Sequence, residues 1–342
     1  MESPPVWLVP TLLVAALGFW TALLVNRGIA VFHDGMRLPM GEFVAGSRTR
    51  ADLVDAWKSL SQNFTLWFIP IALGAGLVLA HLLFIPADYL GSRARTWWAA
   101  GLLGALAGVV AALGIFFGRA LISALPVNII DALYRSLGAL VDGVLVIPAV
   151  AVGYQFGWIA GGVALLATVM GHVVNLQAPS LPPNVLPILA GLLVLAFYAA
   201  QAERKLRQAS EPFATEPLQS KASRIRQHWA WLAVQGALIA VTTYAMAFAW
   251  FPVDGPIASY GFRAQAALVV VVIAIGFLPT ITTSASLTGV ASVIGLMLVF
   301  AVGYLAPHPL VAAALGALLM AMETVYLPRV SRTLDATPIL RE

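Results

Sequence analysis

Long uncharged apolar runs, separated by short polar stretches, make up most of the chain. A helix needs about 20 mostly apolar residues to cross the hydrocarbon core of a bilayer. Runs of that kind predict spans at roughly Val6–Val25, Asn63–Ile85, Trp97–Gly118, Pro183–Ala202, Trp229–Phe251, Ala264–Ile281, Val290–Ala306 and Pro309–Leu327. Membrane strands would instead alternate apolar and polar residues in segments of about 10. The first run is not expected to be a cleaved signal, because Glu2 stands where a basic segment should and the run is too long. Residues 119–177 divide less clearly: Gly143–Gln177 is uncharged but interrupted by Pro148 and by Gly153-Tyr154-Gln155-Phe156-Gly157-Trp158. The expected fold is an all-α, polytopic transmembrane helix bundle of nine or eleven spans, with proline-broken or re-entrant segments.

Composition sharpens the class. Of 342 residues, 61% are hydrophobic and 10% are charged, and mean hydropathy is +0.90. A soluble domain carries about 25% charged residues, so a soluble globular protein, a disordered chain and a disulfide scaffold are all excluded. Cys is absent, which removes thiolate metal ligands. The net charge of +4 sits in loops and points to topology, with no nucleic-acid partner expected.

Charge then orients the chain. Arg27–Lys58 holds five basic residues and Glu203–His228 holds six. Positive loops stay in the cytoplasm, which predicts a cell inner-membrane, multi-pass protein with its N-terminus outside and its C-terminus cytoplasmic. Only Arg93, Arg95 and Arg263 then fall outside, and 119–177 must cross an odd number of times. Ser47–Trp57 opens with cap-type residues and reads as a mixed-charge helix. Pro212 and Pro217 make 203–228 a linker between an N-terminal half (1–202) and a C-terminal half (229–342).

Polar groups inside apolar runs are costly and usually functional. Ile85-Pro86-Ala87-Asp88-Tyr89-Leu90-Gly91 and Leu125-Pro126-Val127-Asn128-Ile129-Ile130-Asp131 share a pattern of apolar, Pro, small, then Asp or Asn. Such a pattern suits a chain that turns and restarts as a helix with open N–H groups, as inverted-repeat transporters do, or else a plain interfacial helix start. Asp131 and Arg135 can pair on one helix face. Gly276–Gly289 places Thr280, Thr282, Thr283 and Ser284 after Pro279, giving either a coordinating unwound segment or a turn between spans. Glu323 lies five residues before the end expected for its helix, within reach of Arg329. His33, Asp34 and Arg37 form the best small cluster, where Gly35 allows a sharp turn and His33 titrates near neutrality. The same residues also suit an interfacial anchor. No GxSxG, Walker loop, HExxH or paired Asp-rich cluster occurs, so no enzyme, cofactor or metal is expected.

Several of these segments, Ala30-Val31-Phe32-His33-Asp34-Gly35-Met36-Arg37 above all, resemble the YhfT family of bacterial inner-membrane proteins. Leu125-Pro126-Val127-Asn128, Tyr154-Gln155-Phe156-Gly157-Trp158, Gly276-Phe277-Leu278-Pro279 and Ala306–Ala317 are similar too, in the same order. The resemblance implies a transport protein of unsettled substrate and lends no catalytic residues. Family members carry Asp where this chain has Asn128, and they continue past the position of Arg329 into further membrane helices. The resulting expectation is a secondary transporter or permease for a small, polar or anionic organic solute. Its expected partners are the lipid bilayer, the solute, and a second copy or a subunit that replaces the further helices. The expected site residues are His33, Asp34, Arg37, Asn128, Asp131, Tyr154, Gln155, Thr280, Thr282, Thr283, Ser284 and Glu323. A membrane scaffold anchoring a soluble enzyme is the alternative, and an intramembrane enzyme a further one.

Overall fold

A computed structural model describes residues 5–127, 129, 145–177, 185–209, 218–250, 260–291 and 294–336. The fold is all-α. In chain order the helices are α1 (Leu8–Asn26), α2 (Arg37–Val44), α3 (Arg50–Ala75), α4 (Ala80–Arg93), α5 (Trp97–Ser123), α6 (Ile147–Phe156) and α7 (Trp158–Leu176). There follow α8 (Val185–Ala209), α9 (Leu218–Gln227), α10 (Trp229–Tyr244), α11 (Tyr260–Thr288), α12 (Ile294–Leu305) and α13 (Pro309–Ala336). Two very short strands, β1 (Val78–Leu79) and β2 (Phe248–Ala249), pair in parallel.

Among the described residues, four helical stretches are long and apolar enough to cross a membrane: Leu8–Asn26, Trp97–Ser123, Trp158–Leu176 and Pro309–Arg329. α5 shows how they are built. Gly101, Gly104, Gly108 and Ala112 are buried, whereas Leu102, Leu106, Val110 and Phe117 are exposed. Small residues inside and large apolar residues outside reverse the pattern of a water-soluble helix and fit one surrounded by lipid. α1 and α5 run antiparallel with backbones in close approach: a Cβ on Gly18 would collide with the Gly104 carbonyl, and one on Gly108 with Val14.

That arrangement occurs twice. In the second half α10 and α13 run antiparallel, and a Cβ on Gly236 would collide with the Gly316 carbonyl. Gly104 also meets the Ala22 methyl, as Gly316 meets that of Ala240. Gly91 of α4 packs on Ala22 and Val25, and Gly303 of α12 packs on Ala240 and Thr243. α1 ends in a left-handed residue, Gly28 (φ 65°), and α10 is followed by another, Met246 (φ 53°). Gly76 (φ 73°) follows α3 just as Gly289 (φ 68°) follows α11. After these turns the chain is extended, and the extended pieces pair across the halves: Ala30 with Ala291, Val78 with Phe248, and Leu79 with Ala249. Exchanging the halves leaves the scheme unchanged.

The two sets point in opposite directions. Gln235 donates to the Thr21 hydroxyl at 3.0 Å and the Trp20 indole to the Trp231 carbonyl at 2.9 Å. Arg27, just past α1, lies 5.4 Å over the Trp231 ring at the start of α10 and 5.7 Å over Trp97 at the start of α5. The helix opening the second set therefore starts at the end of the bundle where α1 finishes.

Several sequence expectations are corrected here. Asn63–Ile85 is not one span: α3 stops at Ala75, the chain is extended through β1, and α4 returns. Asn26 donates to the Gly91 and Ala94 carbonyls (3.0 and 2.7 Å), and Arg50 to those of Ser92 and Ala94 (3.0 and 2.9 Å). Arg93 thus stands at the same end as Arg27 and Arg50, not the opposite one. The break comes from Gly76, whose left-handed backbone ends α3 and costs a residue with a side chain strain. Pro86 and Asp88 lie inside α4, so that pattern does not restart a helix. Gly276–Thr288 is neither an unwound segment nor a turn, because α11 stays helical up to Gly289. Thr49 closes a capping box with Asp52, as the cap-type residues there suggested.

Candidate functional site

Extended backbone inside a packed bundle leaves N–H and C=O groups that need partners. The segment after α1 finds them in two ways. Ala291 N–H donates to the Ile29 carbonyl at 3.3 Å. The N–H groups of Phe32 and His33 both donate to Oδ2 of Asp88, each at 2.9 Å. Asp88 is fully buried on α4, so this carboxylate pins the extended segment to the helix behind it.

A cavity of about 120 Å³ opens beside this contact. Phe32, Phe84 and Trp250 form its aromatic wall, His33 and His81 its polar groups, and Ala80 and Ile85 the rest. The rings are locked together: Phe32 stacks on Phe84 at 4.8 Å, and Phe84 meets Phe248 at 5.2 Å. Phe248 stacks on Phe300 at 5.3 Å. His81 stacks on Phe68 at 4.1 Å and lies 5.7 Å from Trp250. His33 meets Trp57 edge-on at 6.0 Å. Ala80 and His81 begin α4, and Leu79 offers that helix no side-chain cap. The cavity therefore draws on both halves, with Trp250 coming from the second.

At the end where α1 finishes, α9 lies against the same turns. Arg224 donates to the Gly28 carbonyl at 2.6 Å, and Lys221 packs on Gly289. A second cavity of about 480 Å³ is lined there by Gly41, Glu42, Lys221, Arg224 and Thr288. Glu42 is ion-paired with Arg48 at 2.7 Å. His228, between α9 and α10, is partly buried. Burial first, then the charges of Arg224 and Arg27, hold its imidazole below the ordinary 6.5. The unfolded chain therefore takes up a proton that the folded chain resists as pH drops below 6.5. Stability is full above that pH and falls as pH descends. His228→Gln is expected to reduce this acid loss, measured as melting temperature against pH for both proteins.

The structure brings only part of the expected site together. His33 lines the cavity, and Arg37 is buried at the start of α2, 1% exposed. Asp34 lies in the single 3-10 turn Asp34–Met36. Thr280, Thr282, Thr283 and Ser284 lie within α11, and their side chains are outside the described residues. Asn128 and Asp131 are also outside the described residues. Tyr154 is 92% exposed and Gln155 is exposed beside it, both at the end of α6 on the outer surface and apart from the cavity. Glu323 is partly buried on α13. His81, Phe84, Asp88 and Trp250 were not among the expected site residues. The available signal was His81 and Asp88 interrupting the apolar run Leu77–Leu90. Among the described residues no three His, Asp or Glu gather in a way that could hold a metal ion.

A family model described as "YhfT: Protein of unknown function" matches residues 10–342. The chain is 33% identical over 346 residues to the "Uncharacterized protein YhfT" of Escherichia coli (strain K12), covering 96% of this chain and 80% of that protein. No solved structure matches.

Proposed function

The chain belongs to the YhfT family, and from that premise and its fold we propose that it is a secondary transporter, a permease moving a small polar or anionic organic solute across the bacterial inner membrane. One observation carries the reading: two oppositely directed sets of helices meet at paired, unwound turns, Ala30 with Ala291 and Val78 with Phe248. Inverted repeats of this kind let each half adopt the conformation of the other, which opens a central site first to one side and then to the other. Broken helices supply that site with backbone dipoles that continuous helices keep to themselves.

The end carrying Arg27, Arg50, Arg93 and Arg224 is the cytoplasmic one in this proposal, because basic residues resist translocation. The N-terminus then lies outside, and the remaining apolar helices complete a polytopic bundle. No catalytic step belongs to the proposal. Its partners are the bilayer, the solute, and a second copy or a subunit supplying further helices.

The test needs no knowledge of the solute. Because the chain has no Cys, Ala80→Cys and His33→Cys each give one reactive thiol at the cavity. A membrane-impermeant maleimide is expected to label both positions in right-side-out and in inside-out vesicles. Labelling confined to one vesicle orientation overturns alternating access and favours a scaffold.

A further inference from the structure

We propose that the cavity binds a small monocarboxylate with an apolar body, its carboxylate at the start of α4 and its body against Phe32, Phe84 and Trp250; this rests on the transport reading and names the class of solute. The first N–H groups of a helix and its dipole favour an anion. α4 presents that end to the cavity through Ala80 and His81, without a side-chain cap. A second, independent feature points to the same place. Nδ1 of His81 is buried and has no hydrogen-bond partner among the described residues. A buried polar atom left unmatched costs free energy that a ligand acceptor recovers.

His33 lies close enough to His81 for their charges to interact, so two imidazoles flank one position. Asp88 does not line the cavity, and its Oδ2 is turned to the N–H groups of Phe32 and His33. No carboxylate among the lining residues therefore offers to hold a cation. The rest of the wall is aromatic and aliphatic and gains from contact with an apolar body. A volume of about 120 Å³ limits that body to the size of one ring.

The probe is benzoate, with benzyl alcohol, acetate and benzylamine as controls that remove the charge, remove the ring or reverse the charge. Added to the purified full chain in detergent, benzoate is expected to raise the melting temperature and quench tryptophan fluorescence, and the controls to do neither. His81→Leu is expected to weaken benzoate by about tenfold, the loss of one hydrogen bond to a charged group, and His81→Gln to restore much of it. The four-probe series on the unaltered chain decides the matter even where His81→Leu fails to fold. No benzoate shift, an equal shift with benzyl alcohol, or a preference for benzylamine overturns the proposal. Two-sided maleimide labelling without a benzoate shift leaves transport standing and removes this solute class. A benzoate shift with one-sided labelling leaves a binding site and removes transport.

Discussion

Gly104→Ala is expected to destabilise the protein by about 3 kcal/mol, near the upper end of what overpacking costs. The added methyl has nowhere to go: it would overlap the Gly18 carbonyl and the Ala22 methyl, and backbone cannot rotate away as a flexible side chain would. α1 and α5 would have to separate, losing the dispersion contacts that hold helices together where apolar burial offers no drive. Gly316→Ala should cost a similar amount, because it meets Gly236 and Ala240 in the same way. The internal control is Gly114, on the same helix as Gly104 but with open space around a Cβ. Gly114→Ala is expected to be neutral or to stabilise by up to about 1 kcal/mol, the helix propensity difference. Thermal unfolding of the three variants in one detergent gives the comparison. Equal effects for Gly104→Ala and Gly114→Ala would mean that the crossing is not where the glycines place it.

The second large effect is expected for Asp88→Ala, also about 3 kcal/mol. Removing the carboxylate strands the N–H groups of Phe32 and His33, and each orphaned donor costs about 1–3 kcal/mol when buried. Asp88→Asn keeps a carbonyl oxygen in place and should lose much less. The consequence reaches the cavity, since Phe32 and His33 line it and their backbone is what Asp88 holds. Asp88→Ala should therefore remove both stability and any benzoate response, whereas Asp88→Asn should retain a cooperative melt. Thermal unfolding with and without benzoate checks this. An Asp88→Ala protein as stable as the parent would show that the extended segment is held by its strand partner and not by Asp88.

The helices were the legible part of this chain. Apolar runs such as those at Trp97 and Pro309 are long, and a backbone in lipid has few ways to satisfy its N–H and C=O groups other than a helix. α5 and α13 accordingly begin at Trp97 and Pro309, where the runs begin. His33 was legible for a similar reason, because an imidazole just beyond an apolar run stands out. The breaks were not legible. Leu77-Val78-Leu79 is as apolar as any helical stretch, and only pairing with Phe248 and Ala249, far along the chain, makes it worthwhile to leave the helix. Asp88 misled in a different way: beside Pro86 it looked like a helix start, whereas α4 carries the proline internally and turns the carboxylate on a neighbouring segment. Trp250 gave no signal, being one aromatic residue among many.

The sequence by itself determined the class, since composition and the length of apolar runs are local properties that survive any arrangement of the helices. It also determined which loops carry the positive charge. The inverted relation of the halves, the meeting of the extended turns and the cavity between them were decided by tertiary structure alone. Each depends on close approach between small residues distant in the chain, such as Gly18 with Gly104 and Gly236 with Gly316. A glycine is a weak mark in sequence, and what it permits is visible only once the partner backbone lies against it.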